Sequence, residues 1–122
     1  MTIRHIVILA LPLCIVLGAA AKAVDGGEVF DDECVDCHSV AKSTKNKKGP
    51  SLEGIFGAKA AAVAGATYSD ALKASGLVWN AENLDAYIKN PKAVVAGGGT
   101  MKYDGLPDPS ARAALIDFLK QH

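Results

Sequence analysis

The sequence predicts one all-α domain, three or four short helices joined by long loops that wrap around something other than side chains. Three observations carry that expectation. Apolar residues recur at three- and four-residue spacing, and alternating strand patterns of useful length are absent. Stretches rich in Gly, Pro and Lys separate the helical runs, leaving a small domain with too much irregular chain to bury an adequate core alone. Finally, two cysteines and a histidine stand together in ECVDCHSV, Glu33 to Val40, where a disulfide, a metal or a cofactor can complete the interior.

The chain of 122 residues opens on a segment that does not belong to that domain. Arg4 precedes the apolar run IVILALPLCIVLGAAA, residues 6–21, and small residues follow in AAAKA, residues 19–23. A charged start, a short apolar stretch and an A-x-A exit are the parts of a secretory signal peptide, with cleavage after Ala21 or Ala23. The run is short for a membrane span of roughly 20 residues. Cys14 follows Leu-Pro-Leu, the wrong setting for lipid attachment, and leaves with the leader. Residues 24–122 form the domain, exported to the periplasm, with two cysteines and 11 basic against 13 acidic side chains, a charge of −2. A nucleic-acid partner would want a basic domain. The charges are segregated: Asp25, Glu28, Asp31, Asp32, Glu33 and Asp36 crowd one segment, Lys42, Lys45, Lys47 and Lys48 the next. Such a dipolar surface can orient the molecule against a partner.

The elements follow in order. Residues 26–37 place Val29, Phe30, Cys34, Val35 and Cys37 roughly on one helical face. The lysine-rich stretch to Gly49-Pro50 reads as a loop. A short helix fits Ser69 to Ser75, ended by Gly76. Asn80 caps a helix with Glu82 in its first turn, running to Lys89 and ended by Asn90-Pro91. VVAGGGTMKYDGLPD is too glycine-rich for a regular helix. Asp108-Pro109 then starts a closing helix, with Ala111, Leu115, Phe118 and Leu119 on one face.

On a helix Cys34, Cys37 and His38 lie at i, i+3 and i+4 and point the same way. A disulfide needs no histidine. Structural zinc wants four ligands, and the other histidines are His5 in the leader and His122 at the end. A thioredoxin-like pair belongs to a βαβ pattern that is missing here. C-x-x-C-H is the attachment signature of c-type haem: two thiols join the porphyrin as thioethers and the histidine offers a ring nitrogen to iron. Export agrees, because that attachment takes place outside the cytoplasm.

From Gly26 onward the chain resembles a class I cytochrome c of the short type that includes mitochondrial cytochrome c and bacterial cytochrome c2. Several motifs, in order, carry the resemblance. Gly26 and Phe30 match positions packed against Leu115, Phe118 and Leu119 of the last helix; CVDCH is the haem site; GPSL and GIFG, residues 49–57, match the loop on the histidine side. TYSDALKASGLVW, residues 67–79, resembles the segment under the propionates, and AYIKNPK, residues 86–92, the helix and exit before the methionine loop.

The resemblance implies the cytochrome c fold around one haem c bound through Cys34 and Cys37. His38 is then the proximal ligand, with Pro50 accepting its other ring N–H. Met101, the only methionine besides Met1, is the sixth ligand, and Met/His ligation raises the reduction potential. Tyr68 and Trp79 donate to the propionates, Tyr87 lies near the methionine sulfur, and Tyr103 is the aromatic at the haem edge. The implied activity is one-electron transfer by a soluble monomer and not enzymatic turnover. Its partners are membrane or periplasmic redox proteins: a cytochrome reductase, an oxidase, a dehydrogenase or a photosynthetic reaction centre.

The chain also departs from the family pattern. It has one residue more between Asn90 and Met101 than the common mitochondrial spacing, and GGGTM replaces the frequent Pro-Gly-Thr-Lys before the methionine. Ala58 and Leu72 stand where an arginine and an asparagine often steady propionates, and Glu33 where the docking surface often has lysine. Lys47 and Lys92 match lysines of that surface. The rival expectation is a haem enzyme or gas sensor, which requires Met101 to be off the iron or readily displaced.

Overall fold

A computed structural model describes residues 14–42 and 45–122. The first half of the apolar leader run, residues 6–13, and Arg4 lie outside the described residues. Residues 14–25 have no regular secondary structure, and Ile15, Val16 and Leu17 are exposed. No helix among the described residues is long and apolar enough to cross a membrane.

Among the described residues, five α-helices build the domain: α1 Gly26–Glu33, α2 Asp70–Ala74, α3 Ala81–Lys89, α4 Pro91–Val94 and α5 Pro109–Leu119. Each start except that of α4 is fixed by a side chain that accepts an otherwise unpartnered N–H. Asp25 accepts from the amides of Gly27 and Glu28, Ser69 from Leu72, Asn80 from Asn83 and Asp108 from Ser110. The α4 turn needs no such cap because Pro91 at its first position brings no N–H. Proline thus both ends α3 and opens α4, which raises the helix number above the three or four read from the sequence.

Helices α1 and α5 pack against each other, joining the two ends of the domain. Gly26 makes their closeness possible: a Cβ there would lie 2.1 Å from the Ala114 carbonyl oxygen and 2.7 Å from Phe118 Cβ. The Phe30 and Phe118 rings meet with centroids 5.5 Å apart, and Leu115 is 1% exposed beneath them. At about 25 cal/mol per Å2 of apolar surface, each fully buried Leu or Phe side chain contributes about 1.5–3 kcal/mol. The cluster continues through Ile55, Leu72, Trp79, Leu84, Val95, Ile116 and Leu119. One isolated antiparallel bridge, Lys59 with Val78, ties the middle loops together.

Candidate functional site

The helix expected over residues 26–37 stops at Glu33, so the cysteines lie in the turn that follows it. Cys34 has φ −121° and ψ −30°, off the helical path, and the Phe30 carbonyl accepts from the amides of both Cys34 and Val35. The turn nevertheless keeps the useful part of helical geometry. The Cys34 carbonyl accepts from Cys37 N–H at 3.0 Å and from His38 N–H at 2.9 Å, so the three side chains stay on one turn. Both cysteines are free and half-buried.

The loop after the motif runs back alongside it. Gly49 N–H donates to the Cys37 carbonyl and Leu52 N–H to that of Ser39, each at 2.8 Å. Asn46 pins the same loop, accepting from Ser51 N–H and donating to the Ala64 carbonyl. Lys47 Nζ donates to the Val35 carbonyl. This pairing sets Pro50 beside His38, whose Nδ1 is 2.7 Å from the Pro50 carbonyl oxygen. A carbonyl only accepts, so Nδ1 carries the proton and Nε2 keeps its lone pair. Gly49 lets the ring sit there: a Cβ at that position would be 2.5 Å from His38 Cε1.

Electrostatics suit the same assignment. Burial holds the His38 pKa below the ordinary histidine value, with the Pro50 hydrogen bond opposing and Lys47 assisting. The imidazole is therefore neutral at pH 7, the form in which it ligates metals. Burial, followed by the charges of Glu33 and Cys37, pushes the Cys34 thiol up to about 11.

Trp79 is buried and its ring meets that of Tyr87 with centroids 4.9 Å apart. The Trp79 amide donates to the Ala58 carbonyl and its carbonyl accepts from Gly57, locking the backbone that carries it. Tyr68 is half-buried, and its hydroxyl oxygen accepts from Val63 N–H at 3.1 Å, leaving its own proton to donate elsewhere. Tyr87 is half-buried with its pKa raised by burial, so its phenol keeps the O–H. Its hydroxyl lies 3.8 Å from where a Cβ would stand on Gly99, so the methionine loop passes directly over it. Met101, two residues on, is half-buried.

Two features of the loop were not read from the sequence. Arg112 is 5% exposed; its Nε donates to Asp85 Oδ1 at 2.8 Å and its Nη1 to the carbonyls of Leu106 and Pro107 at 2.9 and 2.8 Å. The usable signal was an arginine, alone outside the leader, flanked by Ala111 and Leu115 on the apolar face of α5. The second is a hydrogen bond from the Tyr103 hydroxyl to Glu33 Oε2, 2.6 Å long, which joins the methionine loop to the end of α1.

The donor set fits a covalently attached haem. Two thiols remain outside any disulfide, and a neutral imidazole with its tautomer fixed stands on the same turn. The zinc alternative finds no group of three or more His, Cys, Asp or Glu side chains placed for a metal ion among the described residues.

Known proteins agree. The family model described as Cytochrome c matches residues 23–122. The chain is similar to cytochrome c2 of Rhodomicrobium vannielii, 45% identical over 83% of this chain and 79% of that one. It is also similar to cytochrome c of Cochliobolus lunatus, 41% identical over 81% of this chain and 91% of the other. Among solved structures, cytochrome cH from Methylobacterium extorquens superposes with a TM-score of 0.74 at 37% identity, covering 84% of this chain and all of that one. Proteins of this kind transfer electrons on haem c and are not enzymes, and Cys34 and Cys37 supply the two attachment thiols. The chain belongs to the cytochrome c family.

Proposed function

We propose that the protein is a soluble, periplasmic carrier of one electron at a time, with His38 and Met101 as the axial ligands of its haem. The observation that carries the ligand assignment is the 2.7 Å contact between His38 Nδ1 and the Pro50 carbonyl, which leaves Nε2 as the only ring nitrogen able to bind iron. Bound haem supplies the Fe(II)/Fe(III) couple.

The chain's own residues do the rest. Pro50 and Gly49 hold the imidazole in one tautomer and one orientation. Cys34 and Cys37 fix the attachment edge to the turn after α1. The half-buried Val40, Leu52 and Leu77 pack around the core and help exclude water. Tyr87 offers a protonated hydroxyl beneath the methionine loop, and Tyr68 and Trp79 offer donors to the propionates. A ligand set held alike in both oxidation states keeps reorganisation small and leaves no position for substrate.

Residues 1–23 act as the leader, removed after Ala21 or Ala23. In support, the family match begins at residue 23, and Ile15, Val16 and Leu17 stand exposed, outside the core. The electron partners are membrane or periplasmic redox proteins of the reductase, oxidase, dehydrogenase or reaction-centre type, met by the monomer.

An absorption spectrum of the oxidised mature protein tests the ligand set. The weak near-infrared band of sulfur-to-iron charge transfer should appear and should vanish in Met101→Ala. A missing band together with ready binding of carbon monoxide by the reduced protein would point instead to a haem enzyme or gas sensor.

A further inference from the structure

We propose that Glu33 and Tyr103 form a clamp that holds the methionine loop across the haem, making both of them positioning residues for Met101. The inference rests on Met101 being the sixth ligand. Glu33 is the last residue of α1 and directly precedes Cys34, the first attachment point. Tyr103 follows Met101 by two residues. Their 2.6 Å hydrogen bond therefore closes a bridge between residues 70 positions apart, from the covalent edge of the haem to the segment that brings the sulfur.

The loop has need of such a tie. Gly97, Gly99 and Gly105 all have positive φ, at 73°, 69° and 112°, so the backbone has few steric restraints of its own. Its far end is secured at residues 105–107. Leu106 N–H donates to the Ile88 carbonyl, Arg112 donates to the Leu106 and Pro107 carbonyls, and Gly105 lies against the Lys89 carbonyl. Its near end is secured at Val95, 2% exposed. Between those supports Thr100 contributes one long hydrogen bond, 3.4 Å from its Oγ1 to the Thr67 carbonyl. The exposed pair Lys92–Asp104, 3.5 Å apart, is worth little in water. The bond from a phenol to a carboxylate is charge-assisted and, at 2.6 Å, the shortest of these three ties.

Imidazole binding to the ferric holoprotein reads out the clamp, because added imidazole reaches the iron only when the sulfur leaves. Tyr103→Phe keeps the ring and removes the donor; Glu33→Ala removes the acceptor. Each single variant should bind imidazole about tenfold faster than the wild type, the effect of losing a hydrogen bond to a partly solvated charged group. The double variant should be no faster than either single one, since both remove the same bond. The near-infrared sulfur band should bleach at lower temperature in all three, while the urea midpoint for global unfolding moves much less. Wild-type rates in Tyr103→Phe, or fully additive rates in the double variant, with the band intact, would overturn the clamp alone. A wild type that lacks the band and binds imidazole at once would overturn the ligand assignment and the clamp with it.

Discussion

Replacing Arg112 by methionine should destabilise the folded protein by about 2–4 kcal/mol. The side chain is 5% exposed and its three hydrogen bonds run to Asp85, Leu106 and Pro107. Methionine keeps most of the length and the apolar stem, so the change isolates the guanidinium. Breaking a fully buried charge pair from one side costs about 3–5 kcal/mol. Asp85 is 46% exposed on its side chain and regains water when its partner goes, which removes much of that term. The carbonyl of half-buried Leu106 loses a charged donor, at about 1–3 kcal/mol for a group left unsatisfied, while that of exposed Pro107 regains water. The net is a substantial share of the roughly 5–15 kcal/mol that keeps a domain folded. Urea unfolding followed by Trp79 fluorescence measures it, as a lower midpoint at unchanged slope. Because the lost partners lie on the exit of the methionine loop, the sulfur band should fade before global unfolding. A destabilisation under about 1 kcal/mol would refute the assignment of Arg112 as the lock on residues 106–107.

Gly49→Ala places a methyl 2.5 Å from His38 Cε1 and should push the imidazole off the Pro50 carbonyl, lowering haem incorporation and raising the reduction potential, because an imidazole without that acceptor is a weaker donor to Fe(III); voltammetry giving the wild-type potential would contradict this. Gly26→Ala should separate α1 from α5 and destabilise the fold at the upper end of the about 1–3 kcal/mol typical of overpacking, because the obstacle is the rigid Ala114 carbonyl; thermal melting checks it. Tyr87 has a folded pKa raised above the ordinary tyrosine value of 10.0 by burial, so its share of stability is complete below that pH and declines as pH rises beyond it. Tyr87→Phe should therefore flatten part of the alkaline loss of stability, and an unchanged slope of unfolding free energy against pH would count against burial of that hydroxyl.

How much of this was legible in the sequence follows from the range of each interaction. Caps are local: Asn80 and Asp108-Pro109 announce α3 and α5 because the accepting side chain and the orphan N–H are two or three residues apart. The haem turn was legible in content and wrong in form. A continuous helix to Cys37 was the periodic reading, but the return loop takes over the Cys37 carbonyl through Gly49, and the helix yields at Glu33. The Lys59–Val78 bridge left no trace because it is made by backbone groups, Ala60 to Leu77 and Trp79 to Ala58, under side chains with no alternation. The His38–Pro50 bond came from the family resemblance, and the geometry bears it out. The apolar face of α5 hinted at the burial of Arg112, but its partners and the Glu33–Tyr103 bond depend on where distant segments end up, which no local pattern encodes.

The meeting of α1 with α5 also bears on how the protein is made. Chains emerge N-terminus first, so Cys34, Cys37 and His38 are synthesised long before Phe118 exists to cover Phe30. Until the last dozen or so residues arrive, nothing can close that end of the molecule. The attachment turn is thus open to whatever joins haem to it until α5 has docked. The final helix acts as a latch on a finished product, and a chain truncated before it should present an attachment site that never shuts.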